Sequence, residues 1–305
     1  MSEALRGRGV GAGSAAGPQA GTAGSLVAEC SGLLAAAATG SAAAAREARE
    51  IVATVAGRSL VWPVLEPDAP IEPGASDRAR AAARRRACGE PLAYCLGEAA
   101  FRHLTLAVDA RVLIPRPETE RLVDLVLERT AGGRGLAVDV GTGSGAIALA
   151  FACEGAFARV IGTDLSPGAL EVARANQERC AGGLRSPVEF RLGDLLAPVQ
   201  GERAEVVASN PPYISMAERD ALPTSVRDWE PCEALFAGDE GMAVIDRIAR
   251  DAAGVLVPGG LLALEVDERR ARRARLSVVA TGSYAAADVE LDLAGRERFV
   301  LARRM

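Results

Sequence analysis

Short, strongly apolar runs alternate with helical segments from Glu118 onward in the 305-residue chain. Five such runs, of the kind that a parallel sheet buries on both faces, are 136–140, 160–164, 188–192, 205–209 and 261–266. Helical spacing fills the intervals at 146–153, 167–179 and 241–256, while 288–293 and 298–302 flank Gly295 as a hairpin pair. The pattern predicts an α/β fold with a Rossmann-like, mostly parallel, doubly wound sheet that ends in an antiparallel hairpin. Ligands are expected at the carboxyl ends of its strands.

The N-terminal third has a different composition. Residues 1–25 are mainly Gly, Ala and Ser, which cannot bury enough surface to offset chain entropy, so we predict a disordered tail. An organellar transit peptide is the alternative, although no Arg-rich amphipathic stripe accompanies Arg6 and Arg8. Apolar residues at helical spacing predict a small helical domain over 26–90.

The segment between the helical region and the sheet has alternating apolar positions, such as Leu104 and Leu106. Alternation of this kind predicts a β-hairpin, which we expect to link the two domains over 91–116 with its turn around Asp109-Ala110. The predicted sheet domain then covers 117–305.

The overall composition excludes several classes of protein. With 35 basic and 40 acidic residues, a net charge of −5 and 4% aromatic residues, a direct nucleic-acid partner is not expected. No apolar run approaches the roughly 18 residues that span a bilayer. The six cysteines form no C-x-x-C pair and there is one histidine, His103, so we predict no metal site and a reducing, cytoplasmic location.

A glycine-rich segment, Gly141-Thr142-Gly143-Ser144-Gly145, follows the first predicted strand and precedes a helix. Alternate glycines let the backbone turn sharply and approach a ligand, while the helix N-terminus offers N–H groups. The G-x-G-x-G spacing differs from the dinucleotide pattern G-x-G-x-x-G, and no phosphate-binding lysine follows. The segment therefore favours S-adenosylmethionine, with other nucleotides and a purely structural turn as alternatives.

Acidic residues end the next two predicted strands. Asp164 stands where a carboxylate can accept hydrogen bonds from both ribose hydroxyls, although it could instead cap the following helix. Asp194 could receive an adenine amino group, with Leu195 against the ring, and an ordinary loop aspartate is the alternative. These three residues are predicted to hold the nucleoside part of the cofactor.

The tetrapeptide Asn210-Pro211-Pro212-Tyr213 ends the fourth predicted strand. Two prolines remove two backbone donors, so the loop presents carbonyl oxygens and the Asn210 side chain as acceptors. Acceptors at the Asn210 side-chain oxygen and the Pro211 carbonyl would orient a planar nitrogen and stabilise its developing positive charge, while Tyr213 packs over the flat group. We therefore predict Asn210, Pro211 and Tyr213 as catalytic residues, with a rigid turn as the alternative. A general base is not evident, and the open candidates are Glu118, Glu120 and Asp228.

Together these motifs resemble the HemK-type protein N5-glutamine methyltransferases, specifically those acting on peptide chain release factors. The similarity runs from about residue 26 to 303. It rests on six segments: Gly89-Glu90-Pro91-Leu92-Ala93-Tyr94, the stretch 113–120, the loop 139–145, the stretch 209–214, Val226-Arg227 with Glu230-Pro231, and the stretch 234–241. Its Ile-Pro-Arg-Pro-Glu-Thr-Glu stretch separates it from the related ribosomal-protein glutamine methyltransferases.

The resemblance implies a class I S-adenosylmethionine methyltransferase fold. The substrate would be the glutamine of the Gly-Gly-Gln motif in class I release factors, gripped by the small helical domain. Family cofactor residues map onto 141–145, Asp164, Asp194-Leu195 and Asn210, and family substrate residues map onto Asn210, Pro211, Pro212 and Tyr213. We expect a monomer without membrane partners.

One departure and two rival functions accompany the resemblance. The family usually has a glycine soon after the glutamate of the fifth strand, whereas here Glu265-Val266 runs into Asp267-Glu268-Arg269-Arg270, so we expect a different loop. A nucleic-acid amino methyltransferase would use the same tetrapeptide on a flipped base, but it would need a basic, aromatic recognition region. A non-catalytic adaptor would have no reason to retain every part of the site.

Overall fold

The computed structural model describes residues 21–35 and 41–305, which divide into two compact units, Met1–Cys88 and Gly89–Met305. The described part of the first unit contains the helices α1 (Ala23–Ala35), α2 (Ser41–Val55), α3 (Trp62–Leu65) and α4 (Pro73–Ala87). Most of the predicted tail, residues 1–20, lies outside the described residues. Helix α1 begins at Ala23 because its first amides are satisfied by distant carbonyls: Ala23 N donates to Ala69 O at 2.9 Å and Gly24 N to Pro67 O at 2.8 Å.

The second unit opens with a short helix, α5 (Leu92–Leu96), and a hairpin of β1 (Glu98–Phe101) and β2 (Leu104–Ala107). The predicted turn at Asp109-Ala110 was wrong, since the strands join at Arg102-His103. Arg102 has a left-handed backbone (φ 53°), and its guanidinium lies 2.7 Å from Glu154 and 2.8 Å from Asp124. Because long-range ion pairs hold this turn, it forms without the Gly or Asn that usually signals a hairpin turn.

A seven-stranded sheet forms the centre of the second unit. Its strands are β3 (Leu136–Val140), β4 (Arg159–Asp164), β5 (Val188–Leu192), β6 (Ala204–Ser209), β7 (Leu256–Glu265), β8 (Tyr284–Leu291) and β9 (Glu297–Arg304). The spatial order is β5-β4-β3-β6-β7-β9-β8, with parallel pairing from β5 to β7 and antiparallel pairing of β9 with both β7 and β8. The predicted doubly wound sheet with its antiparallel hairpin is confirmed.

Strand β7 begins earlier than the predicted 261, because the chain pairs with β6 through a register shift. Leu256 already lies opposite Ala204, and the stretch Pro258-Gly259-Gly260 remains inside the strand with Gly259 at φ 79°. Proline followed by two glycines is typical of a turn, so the sequence alone placed the strand start too late.

Helices cover both faces of the sheet. The helices that follow the hairpin are α6 (Pro117–Arg129), α7 (Ala146–Glu154), α8 (Pro167–Cys180), α9 (Thr224–Arg227), α10 (Cys232–Leu235), α11 (Gly238–Gly241), α12 (Ala243–Val255) and α13 (Ala271–Ala280). One apolar core joins α6, α7 and α8 to the sheet, and a second joins α12 and α13 to its other face. In α12 the fully buried Ile245, Ile248, Ala249 and Ala252 recur at helical spacing. Each buried isoleucine contributes about 1.5–3 kcal/mol.

Within residues 21–35 and 41–305, no helix has both the length and the apolar character needed to cross a membrane.

Candidate active site

The predicted site residues follow four neighbouring parallel strands at the same edge of the sheet. The segment 141–145 follows β3, Asp164 ends β4, Asp194 follows β5 and Asn210 follows β6. The chain runs outward from β3 through β4 to β5 and then returns to the other side of β3 at β6. Ligands of open α/β sheets bind beside such a reversal of strand order, which here lies next to β3.

The glycine-rich loop is shaped to admit a ligand. Gly141 and Gly143 have φ values of 71° and 54°, and a Cβ added to either would meet no atom within 4 Å. The backbone there borders open space, as a cradle for a ligand requires. Gly145 (φ 84°) serves packing instead, since a Cβ on it would lie 3.2 Å from Leu149 and Phe190.

Asp139 lies beneath this loop and is fully buried. Its Oδ2 accepts hydrogen bonds from Thr142 Oγ1 at 2.6 Å and from Ala148 N at 3.1 Å, so it joins the loop to the start of α7. Its other oxygen has no hydrogen-bond partner among the described residues. Burial raises the pKa of Asp139 to about 7.

Asp164 is prepared for a diol. Its Oδ2 accepts a hydrogen bond from Gly143 N at 2.8 Å and its Oδ1 one from Ser166 N at 2.9 Å. A carboxylate oxygen accepts about two hydrogen bonds, so each keeps one acceptor position, which suits two ribose hydroxyls. The helix cap is Ser166, whose side chain accepts from Ala169 N at 3.2 Å. Desolvation raises the pKa of Asp164, against the opposing effect of its backbone hydrogen bonds.

Asp194 and Leu195 lie on the neighbouring strand end. The Asp194 carboxylate pairs with Arg247 at 2.6 Å, and both side chains are about half exposed (51% and 47%). Leu195 has a left-handed backbone (φ 48°), and its carbonyl accepts a hydrogen bond from Thr163 Oγ1 at 2.8 Å. Sequence reasoning did not identify Arg247. Because Arg247 pairs with Asp194, an adenine amino group at Asp194 would share the carboxylate with a guanidinium.

Asn210 presents one side of its amide to the protein and the other to a pocket. Its Nδ2 donates a hydrogen bond to Thr119 Oγ1 at 3.1 Å. No described residue donates to Asn210 Oδ1 or to the Pro211 carbonyl oxygen. Both predicted acceptors are therefore available for a ligand with two N–H hydrogens.

A pocket of about 190 Å³ is lined by both Asn210 and Pro211. Its lining includes Arg116, Asn210, Pro211 and Tyr213, and the other lining residues are Ala or aliphatic, such as Leu113 and Leu235. Tyr213 is packed partly into the sheet core, and burial raises its pKa to about 12. The lining of the pocket is therefore mostly apolar.

An ion pair that sequence reasoning did not assign stands beside this pocket. Arg116 Nη2 lies 2.6 Å from Glu230 Oε1, and the Glu230 side chain is only 1% exposed. Burial raises the pKa of Glu230 against the effect of Arg116. Both residues fall in segments that carried the family resemblance, which was the available signal.

The three candidate bases do not line the pocket. Glu118 pairs with Arg296 at 3.2 Å, and Glu120 accepts a hydrogen bond from Arg102 N at 3.0 Å. Asp228 is exposed and pairs with Arg227 at 2.7 Å.

Behind the site, residues far apart in sequence brace its loops. Asn176 is fully buried, and its amide donates to Ser144 O at 2.9 Å and to Ala107 O at 3.0 Å. Gly241 (φ 89°) leaves no room for a Cβ, which would collide with the Tyr213 carbonyl oxygen and the Arg270 side chain. Where the family usually has a glycine, Asp267 pairs with Arg269 at 2.9 Å, and Arg270 pairs with Glu218.

Among the described residues, no group of three or more His, Cys, Asp or Glu side chains could hold a metal ion.

Comparison with known proteins agrees with this organisation. The PrmC N-terminal domain matches residues 25–97, and the Methyltransferase small domain matches residues 119–224. Among solved structures, a methyltransferase from Pyrococcus furiosus has a TM-score of 0.51 at 20% identity, over 67% of this chain and 90% of that one. The catalytic domain of hMettl16 in complex with MAT2A 3'UTR hairpin 6 has a TM-score of 0.53 at 13% identity, over 76% and 82%. The fold is therefore that of the methyltransferases.

Curated relatives narrow the class. The release factor glutamine methyltransferase of Moorella thermoacetica is 42% identical over 77% of this chain and 82% of its own length. That of Deinococcus radiodurans is 40% identical over 85% of this chain and 90% of its own length. This chain belongs to the release factor glutamine methyltransferase family.

Proposed function

We propose that this protein transfers a methyl group from S-adenosylmethionine to the side-chain amide N5 of the glutamine in the Gly-Gly-Gln motif of class I peptide chain release factors. The observation that carries the proposal is the pair of acceptors at the pocket, Asn210 Oδ1 and the Pro211 carbonyl oxygen. A primary amide nitrogen carries two hydrogens, one for each acceptor.

The proposed donor site is the crevice beside β3. Gly141 and Gly143 leave the space for the donor, and Asp164 offers two acceptor positions to ribose hydroxyls. Asp194 and Leu195 would meet the adenine, while Thr142 and Ser144 complete the loop. When bound, S-adenosylmethionine supplies a methyl group on a positively charged sulfur.

The residues of the pocket would act mainly by orientation. An amide nitrogen is a weak nucleophile, so holding both of its hydrogens turns its face towards the methyl group. As the N–CH₃ bond forms and the S–CH₃ bond breaks, positive charge develops on nitrogen, and two fixed oxygen dipoles stabilise it. Tyr213 and Pro212 would pack against the flat amide. The nitrogen then loses one proton to water, since no carboxylate lines the pocket.

The first unit is proposed to recognise the release factor. Around its helix α3, the apolar side chains of Leu60, Val61, Val64 and Leu65 are 57–74% exposed. Clustered exposed apolar residues of this kind are typical of protein contacts. We further propose a cytoplasmic monomer that binds neither nucleic acid nor membrane directly, in keeping with the net charge of −5.

The test uses methyl-labelled S-adenosylmethionine and purified release factor with Gln or Ala in its Gly-Gly-Gln motif. Label should enter only the Gln form, and equal labelling of both forms would refute a glutamine acceptor. Asn210→Ala should lose nearly all transfer while still binding the cofactor. The matched control is Asp228→Asn, which should stay near wild type because Asp228 lies outside the pocket. Label in nucleic acid would favour a base-amine methyltransferase.

A further inference from the structure

One segment of the chain, residues 213–241, supplies most of the pocket lining, and we name it the wall segment. Six of the ten lining residues lie in it, among them Tyr213, Leu222 and Leu235. Its helices are short, since the 3₁₀ helix Met216–Ala221 has six residues and α9, α10 and α11 have four each. Helices of this length are marginal by themselves, so the position of the wall segment depends on contacts with the rest of the protein.

Arg270, directly before α13, contacts the wall segment at two places. Its Nη2 is paired with the Glu218 carboxylate, and its Nε donates a hydrogen bond to the Glu240 carbonyl oxygen at 2.7 Å. Its Nη1 lies 3.3 Å from Asp267 Oδ1 in the same loop. The Arg270 side chain is only 9% exposed, so these contacts are shielded from solvent, unlike those of a surface ion pair. One planar guanidinium therefore joins two distant parts of the wall segment to the loop after β7.

Both contacts lead to the backbone around Tyr213. Glu218 Oε2, the oxygen that pairs with Arg270, also accepts a hydrogen bond from Ser215 N at 2.9 Å. At the other end of the wall segment, a Cβ added to Gly241 would collide with the Tyr213 carbonyl oxygen and with Arg270 Nε, so both groups pack directly against Gly241. Arg270 thus reaches Tyr213 through both ends of the wall segment.

The turn that Arg270 contacts has an unfavourable backbone conformation. Asp239, Glu240 and Gly241 have φ values of 51°, 55° and 89° in succession, in a left-handed region that residues other than glycine seldom adopt. Such a turn persists only where its surroundings hold it. Arg270 binds the Glu240 carbonyl, and Arg273 of α13 pairs with Asp239 at 2.7 Å and with Glu240 at 3.0 Å. Loss of Arg270 would remove the donor to that carbonyl, so we expect the turn to relax.

We propose that Arg270 is a positioning residue that fixes the wall segment, and with it Tyr213, against the substrate amide. This inference rests on the proposed function. Arg270 does not line the pocket, so it would act on the substrate through the wall segment. Burial tends to raise the pKa of Glu218, but the Ser215 amide and Arg270 hold that pKa below its ordinary value. The pair therefore stays ionised at neutral pH.

The test compares Arg270→Met and Glu218→Gln with wild type in the labelling assay. Methionine keeps much of the side-chain length and removes every donor. Arg270→Met should lower kcat about 10²-fold, the effect of a misplacement of about 1 Å, while the KM for S-adenosylmethionine changes less than about twofold. Glu218→Gln leaves the other two contacts of Arg270 in place and should lower kcat about tenfold. Arg270→Lys keeps the charge and should recover at least about tenfold of the loss in Arg270→Met.

The matched control is Arg272→Met, the same change in the neighbouring helix α13. The Arg272 side chain is 83% exposed and pairs with Glu297 at 3.3 Å, so this variant should match wild type. The double variant with Arg270→Met and Glu218→Gln should lose at most about twofold more than Arg270→Met, because their shared contact is already gone. Additive losses, or a kcat for Arg270→Met within about threefold of wild type, would overturn the proposal.

A second measurement does not depend on activity. Hydrogen–deuterium exchange followed by mass spectrometry should be faster in Arg270→Met than in wild type for peptides covering 213–241, and unchanged for peptides covering 141–145. Faster exchange throughout the second unit would indicate a general loss of stability and overturn the proposal. Faster exchange confined to the wall segment, with no labelling of release factor by wild type, would reject the proposed function and keep the role of Arg270 in fixing this segment. Equal exchange in both proteins would reject that role even if release factor is labelled.

Discussion

The buried Asp139 makes the stability of the second unit depend on pH, and Asp139→Asn isolates the effect. The carboxylate has two hydrogen bonds and one oxygen without a described partner, and it is fully buried. Asparagine keeps an acceptor for Thr142 and Ala148 and carries no charge. The substitution should therefore remove the free-energy cost of ionising a buried carboxyl group in the folded state.

The sign follows from the direction of the pKa shift. Burial raises the folded-state pKa to about 7 from the ordinary aspartate value of 3.8, so the folded protein holds the proton more tightly than the unfolded chain. The associated stability is fully present below the unfolded pKa and is lost as pH rises towards 7. With about 1.4 kcal/mol per unit, the wild type should lose about 2–3 kcal/mol relative to Asp139→Asn between pH 5 and pH 8.

The assay is urea unfolding without cofactor, across this pH range. The chain has two tryptophans, Trp62 in the first unit and Trp229 in the second. A Trp62→Phe background makes fluorescence report on the second unit alone. Glu265 is the same in both proteins, so its own ionisation cancels in the difference. The reasoning would be refuted if the free energies of unfolding of the two proteins changed in parallel with pH. It would also be refuted if the stability of Asp139→Asn fell relative to wild type as pH rises.

Two further substitutions test the walls of the pocket. Gly241→Ala places a Cβ against the Tyr213 carbonyl oxygen at a left-handed backbone position, so it should lower the melting temperature and reduce kcat/KM at least about tenfold. Unchanged thermal unfolding and turnover would contradict the close contact. Glu230→Gln removes the charge that pairs with Arg116, and because burial raises the pKa of Glu230 despite that pair, the free energy of unfolding at pH 7 should stay the same or rise slightly. A loss of more than about 2 kcal/mol in calorimetry would show that the pair outweighs the cost of burying its charge.

Much of the fold could be predicted because the strands of this sheet are short, apolar and buried on both faces. Strand β3 has every residue buried, so hydrophobicity alone marks it. The hairpin turn at Arg102 and the early start of β7 could not be found in this way. The first is held by ion pairs with Glu154 and Asp124, and the second passes through Pro258 and two glycines. Both depend on contacts that local propensity does not contain.

The same division applies to the candidate site. Residues that a ligand would touch, such as Gly143, Asp164 and Asn210, follow strands directly, and their chemistry is legible in the sequence. Residues that orient these ligand-contacting side chains cannot be recognised in the sequence in this way. Thr119 belongs to a helix far from Asn210 in the chain, and only the folded protein brings the two side chains together.

The orientation of the Asn210 amide has a consequence for the identity of the acceptor. The two acceptor oxygens that we propose for the pocket, at Asn210 and Pro211, suit a side chain that brings N–H hydrogens and repel one that brings only lone pairs. Glutamate has nearly the same shape as glutamine, yet its carboxylate would place like partial charges together, and sites built around such hydrogen bonds reject the mismatched analogue by about 10⁴-fold or more. A release factor whose glutamine had deamidated to glutamate would therefore not be methylated. Methylation would then occur only on release factors whose glutamine amide is intact.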